Sequence, residues 1–136
     1  MSTIGHPLVD LCNLLTPFTT ASSKLALETL AADTGAGASS PNFLPGKVPG
    51  LPTRAQCVEW YSEIAGWAPS KTELAWGDAF SLYKLSVITQ GIAARYATRQ
   101  ASSAQAKEHG QKMNPMGEVV WELVQRCEAE AERARI

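Results

Sequence analysis

Residues 72–97 read TELAWGDAFSLYKLSVITQGIAARYA, a run of twenty-six residues without proline. Projected at 100° per residue, Trp76, Phe80, Tyr83, Val87 and Ala94 fall on one face. Leu85, Ile88, Ile92 and Tyr96 fall on nearly the opposite one. A helix apolar on two faces needs covering on both, so this segment is expected to be the spine of an all-α fold.

Outward from the spine, the other elements are also helical. Thr53 and Gln56 form a capping box at the start of a helix whose stripe is Val58, Tyr61, Ile64 and Ala65. Gly66 is its natural left-handed stop, and residues 67–70 connect it to the spine. Near the N-terminus, Pro7 suits a first helical turn, and Leu8, Leu11, Leu14 and Leu15 make one apolar face. Pro17 is expected to end that helix. Residues 24–32 form a weaker helical segment with Leu27 and Leu30 three apart. Beyond the spine, residues 101–114 are polar and read as a loop with a turn of helix. Residues 116–135 form a last amphipathic helix, with Val120, Leu123, Val124, Cys127 and Ala131 expected toward the core. Glu122 and Arg126 are an i,i+4 pair on it. No strand pattern and no internal repeat is visible.

The stretch 33–52 differs in kind. It holds four Gly and four Pro, which defeat both helix and strand, so a flexible loop is expected there. It is not a phosphate cradle: Gly46-Lys47 is followed by Val48, and Pro41 stands where the leading glycine of that motif belongs.

Composition limits the function classes. At 136 residues the chain has the size of one domain, and 45% hydrophobic residues can supply a core. Only 18% are charged, below the usual quarter, so some apolar surface is expected to face another domain. A net charge of −1 with scattered Lys and Arg gives neither the basic stripe of a nucleic-acid binder nor a basic face for a membrane. The longest plausible membrane stretch, 85–94, is about half of a membrane span. The protein is expected to be soluble. Cys12, Cys57 and Cys127 are odd in number, far apart and not spaced for zinc with His6 or His109, so reduced cysteines packed as small hydrophobes are expected. No basic n-region marks a signal peptide. An intracellular, cytoplasmic setting is the expectation, with mitochondrial and peroxisomal ones open.

Motifs of catalysis are missing. There is no G-x-S-x-G, H-E-x-x-H or G-x-G-x-x-G. His6 has no orienting partner in sequence, and a capping or packing role is expected for it; His109 lies in a polar segment and is expected to be solvated. Asp10, in a first helical turn, is favoured there by the helix dipole alone. Asp78 and Lys84 lie within the spine, where they are either partnered by packing and solvation or line a substrate pocket, and they stand as substrate-binding candidates. The tryptophans at 60, 67, 76 and 121 are expected to fill the core, with ring stacking on a ligand as the alternative.

The string Ser2-Thr3-Ile4-Gly5-His6-Pro7-Leu8-Val9-Asp10-Leu11 resembles a segment of the aminoglycoside phosphotransferase-like kinases. It is closest to the branch related to acyl-CoA dehydrogenases with an N-terminal kinase-like domain. Residues 49–53 (PGLPT), 80–92 (FSLYKLSVITQGI) with Ala93-Ala94-Arg95, and Ala101-Ser102-Ser103-Ala104 resemble the same branch, in the same order. The resemblance implies the helical C-terminal, acceptor-substrate subdomain of a protein-kinase-like fold, spanning 1–136. It also implies that the H-G-D-x-x-x-x-N catalytic loop, the magnesium-binding Asp-Trp-Glu motif and the ATP-binding lobe lie upstream of Met1. ATP and magnesium belong to the full-length family, so this chain is expected to hold no cofactor or metal and to be inactive alone.

The family's Gly-Asp-Pro…Asp-Leu pattern maps onto Gly5-His6-Pro7…Asp10-Leu11. By that resemblance Asp10 is a buried scaffold acid beneath the catalytic loop, with Gly5 and Pro7 as further scaffold, and His6 replaces an acid found in many members. The helices after Thr53 would wall the acceptor pocket. The implied partners are an upstream kinase-like lobe and a small hydroxyl-bearing substrate. The alternatives are a stand-alone, non-catalytic helical interaction module and, more remotely, a small complete enzyme using Asp10, His6 or Asp78.

Overall fold

A computed structural model describes residues 5–30 and 40–133. Six α-helices follow one another among them: α1 (Pro7–Ser22), α2 (Lys24–Leu30), α3 (Arg54–Ala65), α4 (Lys71–Ala97), α5 (Ala106–Gln111) and α6 (Met113–Arg133). A single 3-10 turn, Pro41–Phe43, precedes α3, and no strand occurs among the described residues. No described helix is long and apolar enough to cross a membrane.

α4 is the spine. It is started by a second capping box, in which the Ser70 side chain accepts from the Glu73 backbone N–H and the Glu73 carboxylate accepts from the Ser70 N–H at 2.7 Å. α6, α5 and α1 all pack along it. The core lies between α2, α4 and α6, where Ala26, Leu82, Met116 and Val119 are buried and Leu25, Leu85, Val120 and Leu123 pack around them.

α1 crosses α4 where α4 is thinnest. A Cβ on Gly77 would clash with Cys12 Sγ and lie 3.1 Å from Leu8 Cγ, so only glycine permits this approach. α5 docks further along in a similar way, with a Gly110 Cβ falling 3.0 Å from Ala93 Cα.

The expected end of α1 at Pro17 is wrong. The helix runs through Pro17 to Ser22. Proline removes the backbone donor to Asn13 O, while threonine hydroxyls add bonds to neighbouring carbonyls: Thr16 Oγ1 donates to Cys12 O at 3.1 Å, and Thr20 Oγ1 donates to Thr16 O at 3.1 Å and Pro17 O at 3.2 Å. This half of α1 is also the buried half, with Leu15, Thr16, Thr19, Thr20 and Ala21 inside, and packing outweighs the proline penalty.

The two-sided burial expected of α4 does not occur. Its buried residues are Gly77, Asp78, Ala79, Ser81, Leu82 and Thr89. The aromatic face of Trp76, Phe80, Tyr83 and Val87 is 46–53% exposed, and Ile88 and Tyr96 are exposed too. Close helix crossing selects the face with the small side chains, which turns the bulky ones outward. α3 likewise buries none of its residues, and Ile64 of the expected core stripe is 90% exposed. In α6 the inward face is Met116, Val119 and Cys127, with Val120 and Leu123 half-buried beside them, while Val124 and Ala131 are only partly covered.

The remaining expectations meet the structure unevenly. α2 ends at Leu30, and its expected extension to residue 32 lies outside the described residues. So do residues 33–39 of the Gly/Pro-rich stretch. Residues 40–52 are a succession of turns, with Gly46 and Gly50 at φ 74° and 84°. Phe43 stacks edge-on against Phe18 of α1, with ring centroids 5.2 Å apart, and so anchors the turns.

Candidate functional site

Asp78 is the most unusual polar residue in the described chain. Its position about two turns into α4 brings it to the α1 crossing, where it is only 8% exposed. Arg54, the first residue of α3, reaches it from 24 positions earlier in sequence: Nη2 donates to Asp78 Oδ2 at 2.6 Å. The Thr53 capping box sets the direction of that first turn, with Thr53 N–H donating to Gln56 Oε1 at 2.9 Å. Oδ1 of Asp78 is fully buried with no hydrogen-bond partner among the described residues, although Thr19 and Cys12 stand beside it. Burial raises the Asp78 carboxyl above its usual range, against the opposing pull of the Arg54 guanidinium and of Thr19.

The surroundings are coherent with this. The Cys12 thiol is pushed up to about 12, first by burial and then by the negative charge of Asp78. Cys127 is also raised, by burial and then by Glu130. Both are free, buried thiols, kept in the unreactive protonated form.

Asp78 and Arg54 lie at one side of an open cleft of about 350 Å³ where α1, α3, α4 and α6 converge. Its charged lining comprises Arg54, Lys71, Asp78, Arg126 and Glu130, over an apolar floor that includes Leu74 and Leu123. Arg126 is bound through Nη2 to Glu122, the i,i+4 pair expected from the sequence. Glu122 also accepts from Ser23 Oγ at 3.4 Å, and this ties α6 to the α1–α2 corner. No group of three or more His, Cys, Asp or Glu among the described residues is placed to hold a metal ion.

The other sequence candidates do not converge on this cleft. Lys84 lies elsewhere on α4, with Nζ 5.5 Å from the Phe80 ring centroid in a cation–π contact. His6 is the N-cap of α1: its Nδ1 accepts from the Leu8 N–H at 3.2 Å, and its ring packs edge-on to Trp67 at 5.2 Å. That is the capping and packing role expected of it. Gly5 and Pro7 are exposed at the same helix start, and Pro7 O accepts from the Tyr61 hydroxyl at 3.3 Å. Asp10 is exposed in the first turn of α1, not buried as the resemblance implied for a scaffold acid. His109 lies partly covered in α5, distant in sequence and in helix from Asp78. The tryptophans do not fill the core as expected, since Trp60, Trp76 and Trp121 are 46–61% exposed.

Sequence reasoning named Asp78 but missed Arg54, Lys71 and Arg126 as its neighbours in the cleft. The available signal was weak: a cation at the first position of a helix opposes the helix dipole, and both Arg54 and Lys71 occupy such a position. No protein-family model, no curated protein and no solved structure matches the chain.

Proposed function

We propose that this chain is the acceptor-side helical part of an ATP-dependent small-molecule phosphotransferase of the aminoglycoside phosphotransferase-like kind, inactive until joined to a lobe that brings the catalytic loop and the metal ligands. The observation that carries the reading is the apolar surface left uncovered on α3 and α4. Trp60 and Ile64 on α3, and Trp76, Phe80, Tyr83 and Val87 on α4, are all exposed. Full burial of a side chain of this size is worth roughly 1.5–3 kcal/mol, and with about half or more of each exposed a good part of that is unrealised, so a covering surface from another lobe fits them. The resemblance supports the same reading: two of its strings fall at helix starts, where Gly5-His6-Pro7 leads into α1 and residues 49–53 into α3, and residues 80–95 lie within α4.

Phosphoryl transfer from ATP requires a base or positioning acid for the acceptor hydroxyl and metal ions on the phosphates. No H-G-D-x-x-x-x-N or Asp-Trp-Glu occurs in the 136 residues. In the joined protein the role of this chain would be to hold the acceptor. A stand-alone, non-catalytic interaction module is the second reading, and the His6 cap favours it: α1 closes its own N-terminus without needing a preceding loop.

The test joins the chain to a kinase-like lobe from the resembling branch. Acrylamide quenching of tryptophan fluorescence should fall in the joined protein relative to the isolated chain, and Mg-ATP should bind only the joined form. Micromolar Mg-ATP binding to the isolated chain by calorimetry would overturn the phosphotransferase reading. Unchanged quenching together with absent ATP binding would leave the interaction module in its place.

A further inference from the structure

We propose that the cleft between α1, α3, α4 and α6 binds a small ligand through a phosphate or carboxylate group, held by Arg54, Lys71 and Arg126. The proposal needs only the cleft and is independent of the phosphotransferase reading. Three cationic side chains from three different helices line a space of about 350 Å³, the lower end of the range for small-molecule sites. Their hydrogen-bonding capacity is largely unspent. Arg54 uses Nη2 on Asp78, and Arg126 uses Nη2 on Glu122. A guanidinium carries five N–H donors in a rigid fork, so each retains donors for a second acceptor. Lys71 forms no ion pair among the described residues.

The two acidic partners act here as orienting groups. Asp78, nine-tenths buried in the α1–α4 crossing, fixes one edge of the Arg54 fork. Glu122, itself held by Ser23, does the same for Arg126. A guanidinium fixed along one edge presents the other edge in a defined plane, which suits the bidentate geometry of a carboxylate or phosphate. Leu74 and Leu123 provide an apolar floor for the rest of such a ligand. Among the described residues Glu130 is the lining carboxylate without a cationic partner, and it opposes an anion.

The experiment titrates the full 136-residue chain, labelled with ¹⁵N, with inorganic phosphate and separately with succinate, at constant ionic strength set by chloride. Saturable shifts centred on residues 54, 71, 78 and 126, with a Kd of about 1 mM or tighter, are expected for at least one of the two anions. Whichever anion saturates identifies the source of the group. Lys71→Ala, at an exposed position, should weaken binding roughly 3- to 10-fold without changing the far-ultraviolet circular dichroism. Arg54→Lys keeps a cation for Asp78 but removes the fork, and should weaken binding by a similar factor. Glu130→Gln should tighten it a few-fold. Linear, non-saturating shifts with both anions would overturn the proposal. So would saturable shifts that none of the three substitutions alters, or shifts centred outside the cleft.

Discussion

Gly77→Ala should destabilise this protein, whereas Gly91→Ala, the same change in the same helix, should stabilise it. Both glycines lie inside α4, so both substitutions gain the helix-propensity difference of about 1 kcal/mol. The surroundings differ. Around Gly91 a new methyl would meet nothing within 4 Å, so the full gain is expected. At Gly77 the methyl would overlap Cys12 Sγ and press on Leu8 Cγ at 3.1 Å and Cys12 Cβ at 3.2 Å. Cys12 is fully buried, so relief requires α1 to move outward or Sγ to leave its rotamer. Overpacking of this kind costs about 1–3 kcal/mol, and this contact belongs at the upper end. Net of propensity, Gly77→Ala should lose about 1–2 kcal/mol, which puts the two variants about 2–3 kcal/mol apart. Urea unfolding followed at 222 nm measures both. Adding Cys12→Ala removes the overlapping sulfur and should recover about 1 kcal/mol of the Gly77→Ala loss in a double-mutant cycle. A Gly77→Ala variant at least as stable as wild type, or no recovery by Cys12→Ala, would refute the close crossing of α1 and α4.

Asp78 supplies a pH test. Its carboxyl is raised above the usual 3.8, so the folded state holds the proton more tightly than the unfolded chain does. Stability relative to Asp78→Asn should therefore fall as pH rises from about 3.8 through the higher folded value, and level off above it. A relative gain over that window, measured by urea unfolding at a series of pH values, would mean that Arg54 outweighs burial. Arg54→Ala leaves the buried carboxylate unpaired and should cost roughly 1–3 kcal/mol in the same assay at neutral pH; a neutral result would make the ion pair incidental. In the native protein a thiol reagent at pH 7.5 should modify Cys57, which is partly exposed, much faster than Cys12 or Cys127, with the last two reacting on addition of urea. Gly66→Ala should cost about 1 kcal/mol or slightly more, because this C-cap of α3 stands at φ 65° with no steric contact to blame; no loss in thermal unfolding would contradict the left-handed cap.

What was legible in the sequence is what depends on a few neighbouring residues. The helix starts at Pro7 and Thr53, the Gly66 stop and the Glu122–Arg126 pair all follow from hydrogen bonds and contacts spanning four residues or fewer. The extent of α4 was legible for the same reason, since nothing in residues 72–97 interrupts a helix. Periodicity also identified the apolar faces of α3 and α4, but it could not tell which face would be covered. That choice belongs to the partner helix. α1 approaches α4 along the small residues near Gly77, and so Trp76, Phe80 and Tyr83 point away. The passage of α1 through Pro17 was decided in the same way, by the burial of Leu15, Thr16, Thr19, Thr20 and Ala21 on either side of it. The cleft is tertiary throughout: Arg54, Asp78 and Arg126 lie on three helices, and no local pattern couples them. Local hydrogen bonding is written in adjacent side chains, but burial is a property of the surface that arrives from elsewhere in the chain.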